Sequence, residues 1–238
     1  MTAAAHDGVE TVANPLSSAF LLVGRRPVLV DTGPTGNHTR VLAALQRLGV
    51  APSDLALIVL THSHADHVGA AKALRESTGA PVAIHRADVE RLAAGGRNPR
   101  LPPVGRSRWL PSKVFERQSF SAVTPDVVID DHGLDLRRYG AEGSVVHTPG
   151  HTPGSVSVVL GDGAGRDWLL GDLVSGGFLR RRRPMLPFFA EDLDQVQGSI
   201  AAVLARSPRR VYVGHGGPFT GAQLRTAFPG PIAVPGPR

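Results

Sequence analysis

The chain has 238 residues, a 42% hydrophobic content and a formal net charge of +6, ordinary values for a globular protein of one large or two small domains. It has no cysteine, which excludes a disulfide framework, thiolate metal ligands and a nucleophilic thiol. No apolar run approaches the ~18 residues of a membrane span, and Met1 to Val12 lacks the basic-then-apolar plan of a signal peptide, so the cytoplasm is the expected location.

The basic residues are almost all arginine, Lys72 and Lys113 being the only lysines. A bias toward Ala, Gly, Pro and Arg along the whole chain accounts for the charge better than a nucleic-acid partner does. Ser18 to Val23 and Val28 to Val30 read as a hairpin across Gly24-Arg25-Arg26-Pro27, and the second run ends at Asp31-Thr32-Gly33. Thr39 to Leu48 has helical periodicity and stops at Gly49. Leu55 to Leu60 reads as a buried strand and Val68 to Thr78 as a helix.

Between them lies Thr61-His62-Ser63-His64-Ala65-Asp66-His67. Imidazole and carboxylate are ligands that zinc, iron or manganese accept. His62 and His64 share a side only on extended backbone, and the adjacent Asp66 and His67 point apart on a regular helix. The stretch is therefore expected on a loop, with Asp66 near a helix N-terminus, where a carboxylate is favoured.

Pro81 to Ile84 reads as a strand closed by His85, a structural histidine or one that supports the site from behind. Ala87 to Ala94 reads as a short helix. Residues 97–125 lose periodicity and carry several prolines, the pattern of a lid or an insertion. Strands follow at Val127 to Ile129, Leu134 to Arg138 and Ser144 to His147. His151 then stands in the rigid loop Thr148-Pro149-Gly150-His151-Thr152-Pro153-Gly154. Ser155 to Leu160 and Asp167 to Leu170 form a strand pair ending at Gly171-Asp172, and a loop containing Arg180, Arg181, Arg182 and Arg183 leaves Asp172. Glu191 to Ala205 is an amphipathic helix with Leu193, Val196, Ile200, Val203 and Leu204 on one stripe. Val211 to Val213 is the last strand and ends at Gly214-His215. Residues 1–228 are expected to form one domain, and Pro229 to Arg238 a frayed, Pro-rich tail.

His62, His64, Asp66, His67, His151, Asp172 and His215 thus all follow strand ends, as does Asp31. In order and context this set resembles the metallo-β-lactamase superfamily from about Asp31 to His215. The resemblance implies an α/β fold, an αββα sandwich of two mixed β-sheets with helices on both outer faces. It implies two divalent metal ions, most simply zinc, with iron or manganese as alternatives. His62, His64 and His151 would hold the first ion, and Asp66, His67 and His215 the second. Asp172 would bridge them, Asp31 would orient the ligand loops from behind, and Asp66 would also assist proton transfer.

Departures from particular branches narrow the activity. The true β-lactamases usually have Cys or Ser where Asp172 stands. The diiron flavoproteins have Glu at the position of His64. Homoserine-lactone lactonases often have Tyr where Ser175 stands. The ligand set is most similar to glyoxalase II, although the stretch after the bridging aspartate, Leu173-Val174-Ser175-Gly176-Gly177, differs. The expected function is hydrolysis of a small ester, thioester or lactone. The alternatives are a mononuclear iron enzyme of the persulfide dioxygenase type, a phosphodiesterase or nuclease, and a scaffold with a vestigial site. The four arginines are expected to hold an anionic part of a small-molecule substrate; no membrane partner is expected.

Overall fold

The computed structural model describes residues 8–101, 104, 115–161, 165–176 and 183–230. Its strands are β1 (Val9–Ala13), β2 (Ser18–Leu22), β3 (Val28–Val30), β4 (Leu57–Val59), β5 (Val82–His85), β6 (Gly96–Arg97), β7 (Ser119–Phe120), β8 (Val127–Ile129), β9 (Leu134–Asp135), β10 (Gly143–His147), β11 (Val156–Leu160), β12 (Asp167–Leu169), β13 (Arg210–Tyr212) and β14 (Phe219–Thr220). The helices are α1 (His38–Arg47), α2 (Ala65–Val68), α3 (Ala71–Thr78), α4 (Val89–Ala94), α5 (Leu193–Ala205) and α6 (Gly221–Ala227). None of them is long and apolar enough to cross a membrane.

Two six-stranded sheets form, in the orders β1-β2-β3-β4-β5-β8 and β14-β13-β12-β11-β10-β9. Both are mixed: β3, β4, β5 and β8 run parallel, as do β12 and β13, and the remaining pairings are antiparallel. Side chains on a strand alternate between faces, and this alternation separates three cores. On β2 to β5, Leu21, Leu29, Ile58, Val82 and Ile84 face outward against Val41, Ala44 and Leu45 of α1 and Leu74 of α3. From the same strands Phe20, Val28, Val30, Leu57, Val59 and Ala83 face inward, where they meet Val156, Val158, Leu169 and Tyr212 of the second sheet. The outer face of that sheet, including Trp168 and Val211, is covered by Val196, Ile200, Val203 and Leu204 of α5 and Leu224 of α6. The result is the αββα sandwich that the superfamily resemblance implied.

Three local expectations change. The helix anticipated over Val68 to Thr78 is broken into α2 and α3, because the Ala70 N–H leaves the helical ladder for the Gly33 carbonyl at 3.3 Å. The strand anticipated to run through Arg138 ends at Asp135, whose carboxylate accepts the Arg137 N–H and starts a 3-10 turn over Leu136–Tyr139. Leu193 leaves the buried stripe of α5 and is 37% exposed at the start of the helix. The edge strands β1 and β14 and the helix α6 carry too short a pattern to be read from sequence.

Trp168 is 2% exposed and among the largest buried side chains. Trp168→Ala should cost ~3–5 kcal/mol in denaturant unfolding. A loss below about 1 kcal/mol would show that the outer core closes around the gap.

Candidate metal centre

The carboxyl ends of β3, β4, β10, β12 and β13 meet at one edge of the sandwich, and each delivers one part of the site. Asp31 follows β3 in a left-handed conformation (φ 58°), unusual for a residue other than glycine. The loop after β4 is extended at His64 (φ −85°, ψ 146°), which lets His62 and His64 turn to a common side. Asp66 and His67 lie on the four-residue helix α2, with Asp66 in its first turn. His151, Asp172 and His215 follow β10, β12 and β13.

All seven predicted donors come together, and they form overlapping groups. His62, His64 and His151 place one nitrogen each within 4.8 Å of one another. So do the donor atoms of Asp66, His67 and His215, and those of His62, His67 and Asp172. Asp172 lies between the first two groups. Its Oδ1 is 3.3 Å from His67 Nε2, while its Oδ2 is 3.1 Å from His215 Nε2 and 3.6 Å from His151 Nε2. Asp66 Oδ2 is 3.3 Å from His215 Nε2.

Hydrogen bonds behind the donors set the tautomers of three rings. Asp31 is fully buried and accepts from the Thr61 N–H (2.8 Å), the Thr61 hydroxyl (2.8 Å) and His67 Nδ1 (2.7 Å). Since the Thr61 hydroxyl spends its only proton on Asp31, its oxygen accepts from His62 Nδ1 at 3.0 Å. His151 Nδ1 donates to the Phe189 carbonyl at 2.8 Å. His62, His67 and His151 therefore all present Nε2 toward the cluster, an arrangement typical of ligating histidines.

The two groups differ electrostatically. Burial, then the crowding of His67, His151 and His64, holds His62 well below its ordinary pKa. Burial, then His151, does the same to His64, and burial lowers His151. Burial also works against charge on His67 and His215. There it is outweighed by Asp172 together with Asp31 and Asp66 for His67, which is raised well above the ordinary value, and by Asp172 and Asp66 for His215, which is pushed up to about 10. In turn burial raises the two carboxyls and is outweighed by His215 and His67, which hold Asp172 well below and Asp66 below the usual carboxylate value.

Divalent metal fits this set. His62 Nε2 and Asp66 Oδ1 are buried and make no hydrogen bond, and His64 faces His151 Nε2 through its Nδ1 at 2.9 Å. Native interiors rarely leave such atoms unsatisfied unless a ligand meets them. The donors are imidazole and carboxylate only, as zinc, iron and manganese accept.

Comparison with known proteins supports the same conclusion. The profile described as the metallo-beta-lactamase superfamily matches residues 14–215. The chain belongs to the metallo-β-lactamase superfamily. Within it, the chain is 30% identical over 217 residues to the probable metallo-hydrolase YflN of Bacillus subtilis, covering 84% of this chain and 78% of that protein. It is 27% identical over 135 residues to the hydroxyacylglutathione hydrolase GloC of Haemophilus influenzae, covering 57% of this chain and 56% of that protein. The solved structure of the BLEG-1 B3 metallo-β-lactamase matches with a TM-score of 0.69 at 26% identity, covering 96% of this chain and all (100%) of that one.

Around this superfamily site the walls are aromatic. Phe115 stacks on Phe189 with centroids 4.8 Å apart and meets the His64 ring edge-on at 5.0 Å. Phe188 lies 6.4 Å from the His215 ring. Phe115 belongs to the 97–125 stretch. Asn98 of that stretch accepts the Ala65 N–H at 2.7 Å and donates to the Phe115 carbonyl at 3.0 Å, so its described ends face the site. Of the four arginines, Arg180, Arg181 and Arg182 lie outside the described residues, and Arg183 is exposed.

His85 does not support the donors. It bonds Asp131 at 3.1 Å and stacks on His147 at 4.0 Å. The two rings are within 12° of parallel, so no single ion lies in both ring planes.

Sequence reading missed Asp88, which ties two of the ligand loops together, because it looked like an ordinary helix-start residue. It also missed the glycine that admits the site. A Cβ on Gly214 would meet Asp172 Oδ1 at 2.3 Å and His67 Cε1 at 2.5 Å. Gly214→Ala should lower metal affinity at least ~10-fold, within the range of perturbed ligand support, as read by zinc retention against a chelator. Unchanged retention would place the alanine methyl elsewhere.

Proposed function

We propose that the protein is a dinuclear metal-dependent hydrolase of a small ester, thioester or lactone. The observation that carries this reading is Asp172, whose two oxygens lie between the group of His62, His64 and His151 and the group of Asp66, His67 and His215. A carboxylate so placed can serve both groups and offset the repulsion between two cations. When bound, such an ion pair makes water nucleophilic at neutral pH and polarises a carbonyl, with zinc the simplest choice and iron or manganese alternatives.

The protein's own residues do the rest. Asp31 and Thr61 hold the His62 and His67 rings in one orientation. Asp66 Oδ1, buried and unbonded, is the atom suited to take a proton from the attacking water and return it to the leaving group. Phe115, Phe188 and Phe189 keep bulk water from the aromatic side. A recess of about 160 Å³ reaches His215 between the Asn14–Ser18 turn and the Gly214–Pro218 loop, and apart from His215 itself its lining carries no charged side chain. That suits an uncharged acyl group. Thioesters lead the candidate substrates because the ligand set is similar to that of glyoxalase II and GloC is named a hydroxyacylglutathione hydrolase.

The test is a panel on zinc-loaded protein: a thioester, a lactone, a β-lactam and a phosphodiester, with metal counted in the same samples. Turnover of the thioester or lactone with near two zincs per chain is the expected result. Turnover confined to the β-lactam or the phosphodiester would overturn the substrate class.

A second reading has one observation in its favour. In the metal-free chain only the His62, His64 and His151 group consists of imidazoles with lowered pKa, ready for an ion without losing protons. A mononuclear iron enzyme of the persulfide dioxygenase type would use that group alone. One iron per chain purified from its native host, with oxygen uptake on a persulfide, would favour it.

A further inference from the structure

Asp88 stands at the position that precedes α4, where an aspartate usually caps the helix through its side chain. Here it makes no such bond. Its carboxylate, on a residue only 1% exposed, turns to two ligand loops instead. Oδ2 accepts the Ser63 N–H at 2.8 Å and the Thr152 hydroxyl at 2.9 Å, and Oδ1 accepts the Gly154 N–H at 3.1 Å. Ser63 lies between His62 and His64, and Thr152 follows His151. One carboxylate thus joins the two loops that carry all three imidazoles of the first group, through two backbone N–H groups and one hydroxyl. The contact is close enough to require glycine, since a Cβ on Gly154 would meet Asp88 Oδ1 at 2.6 Å. Asp31 does a different job: it reaches Thr61 and His67 and so serves both groups.

We propose that Asp88 is a positioning residue that sets the separation between the His62/His64 loop and the His151 loop, and with it the metal affinity of that group alone. This rests on the reading of these histidines as ligands. The physical reason is that three imidazoles on two loops hold one ion only if the loops keep a fixed spacing. Among the described residues, Asp88 is the buried carboxylate that joins Ser63 to Thr152 and Gly154.

Asp88→Asn tests it with little change in volume. One oxygen becomes an NH2, which must face either the Ser63 or the Gly154 N–H. Both are donors, so flipping the amide does not restore the set. Zinc-loaded wild type, Asp88→Asn, Thr152→Val and His64→Ala are dialysed against graded chelator, and the zinc retained per chain is counted. His64→Ala identifies the loss step that belongs to the first group. Asp88→Asn should weaken that step ~10–100-fold, the usual effect of removing an outer partner, and leave the other within about twofold. Thr152→Val should move the same step by less, and it carries the test if Asp88→Asn fails to fold. A shift of both steps alike, or no shift of the His64 step, overturns the proposal. If wild type holds a single zinc, the dinuclear reading falls, and the same comparison still decides. Asp88→Asn must weaken that zinc if His64→Ala abolishes it, and must leave it alone if His64→Ala does not.

Discussion

Asp172→Ala is expected to empty the site and to abolish hydrolysis, the largest effect of any single substitution considered. Asp172 contacts His67, His151 and His215, so on the proposed dinuclear reading its loss removes a donor shared by both groups. It also removes the charge that does most to raise His67 and His215 against burial. Removing an outer partner of a ligand costs ~10–100-fold in affinity or activity, and a donor common to two ions should cost more. Activity should fall beyond ~100-fold, and both zincs should be lost at chelator concentrations that wild type survives. His64→Ala is the control, since it should release mainly one. Wild-type metal content in Asp172→Ala would remove Asp172 from the donor set. Loss of only one zinc would make it a ligand of one ion.

The second large effect is a pH dependence that differs between the groups. Metal competes with protons for imidazole nitrogen. His62, His64 and His151 have lowered pKa values and give up little to bind an ion at neutral pH. His67 is raised and His215 stands at about 10, so both must release a proton. If the protein binds two ions as proposed, the one held by Asp66, His67 and His215 should therefore leave first on acidification. Calorimetric titration of metal in buffers of different ionisation enthalpy should show proton release of about two on the later binding step and little on the earlier one. Equal release on both steps would contradict the asymmetry.

The same shifts set the stability of the metal-free chain. His215 has a folded pKa above its ordinary 6.5, so its ion pair with Asp172 and Asp66 contributes fully below 6.5 and is lost as pH rises through about 10. Asp172 has a depressed pKa, so its share is present above the usual 3.8 and is lost as pH falls through the folded value. Metal-free protein should melt highest between those two limits. Chelator-treated Asp172→Ala should lose that maximum, which thermal melts across pH would show.

The sequence alone singled out the seven side chains that meet at one edge of the sandwich, and through them the family whose fold the chain adopts. The strands read as short apolar runs separated by helices with apolar stripes, which is compatible with a layered α/β fold, while the two-sheet sandwich followed from the family resemblance; which strand residues face outward and which inward emerged only from the packing. The metal-ligand types cluster in one short run and otherwise stand one by one after strand ends, a feature local to the chain. Where the reading failed, a contact distant in sequence won. The break between α2 and α3 comes from the Gly33 carbonyl. The aromatic wall joins Phe115 to Phe189 across 74 residues, and no pattern in either stretch announces it. Asp88 looks like a helix cap in the chain and becomes a tie between loops only when β5 and β10 end at the same edge. The protonation of the donors was equally beyond the sequence. His62 and His67 are both histidines of one motif. The first is held neutral by burial among imidazoles and the second is charged against Asp172 and Asp31, a difference of neighbours that only the packing of two sheets creates.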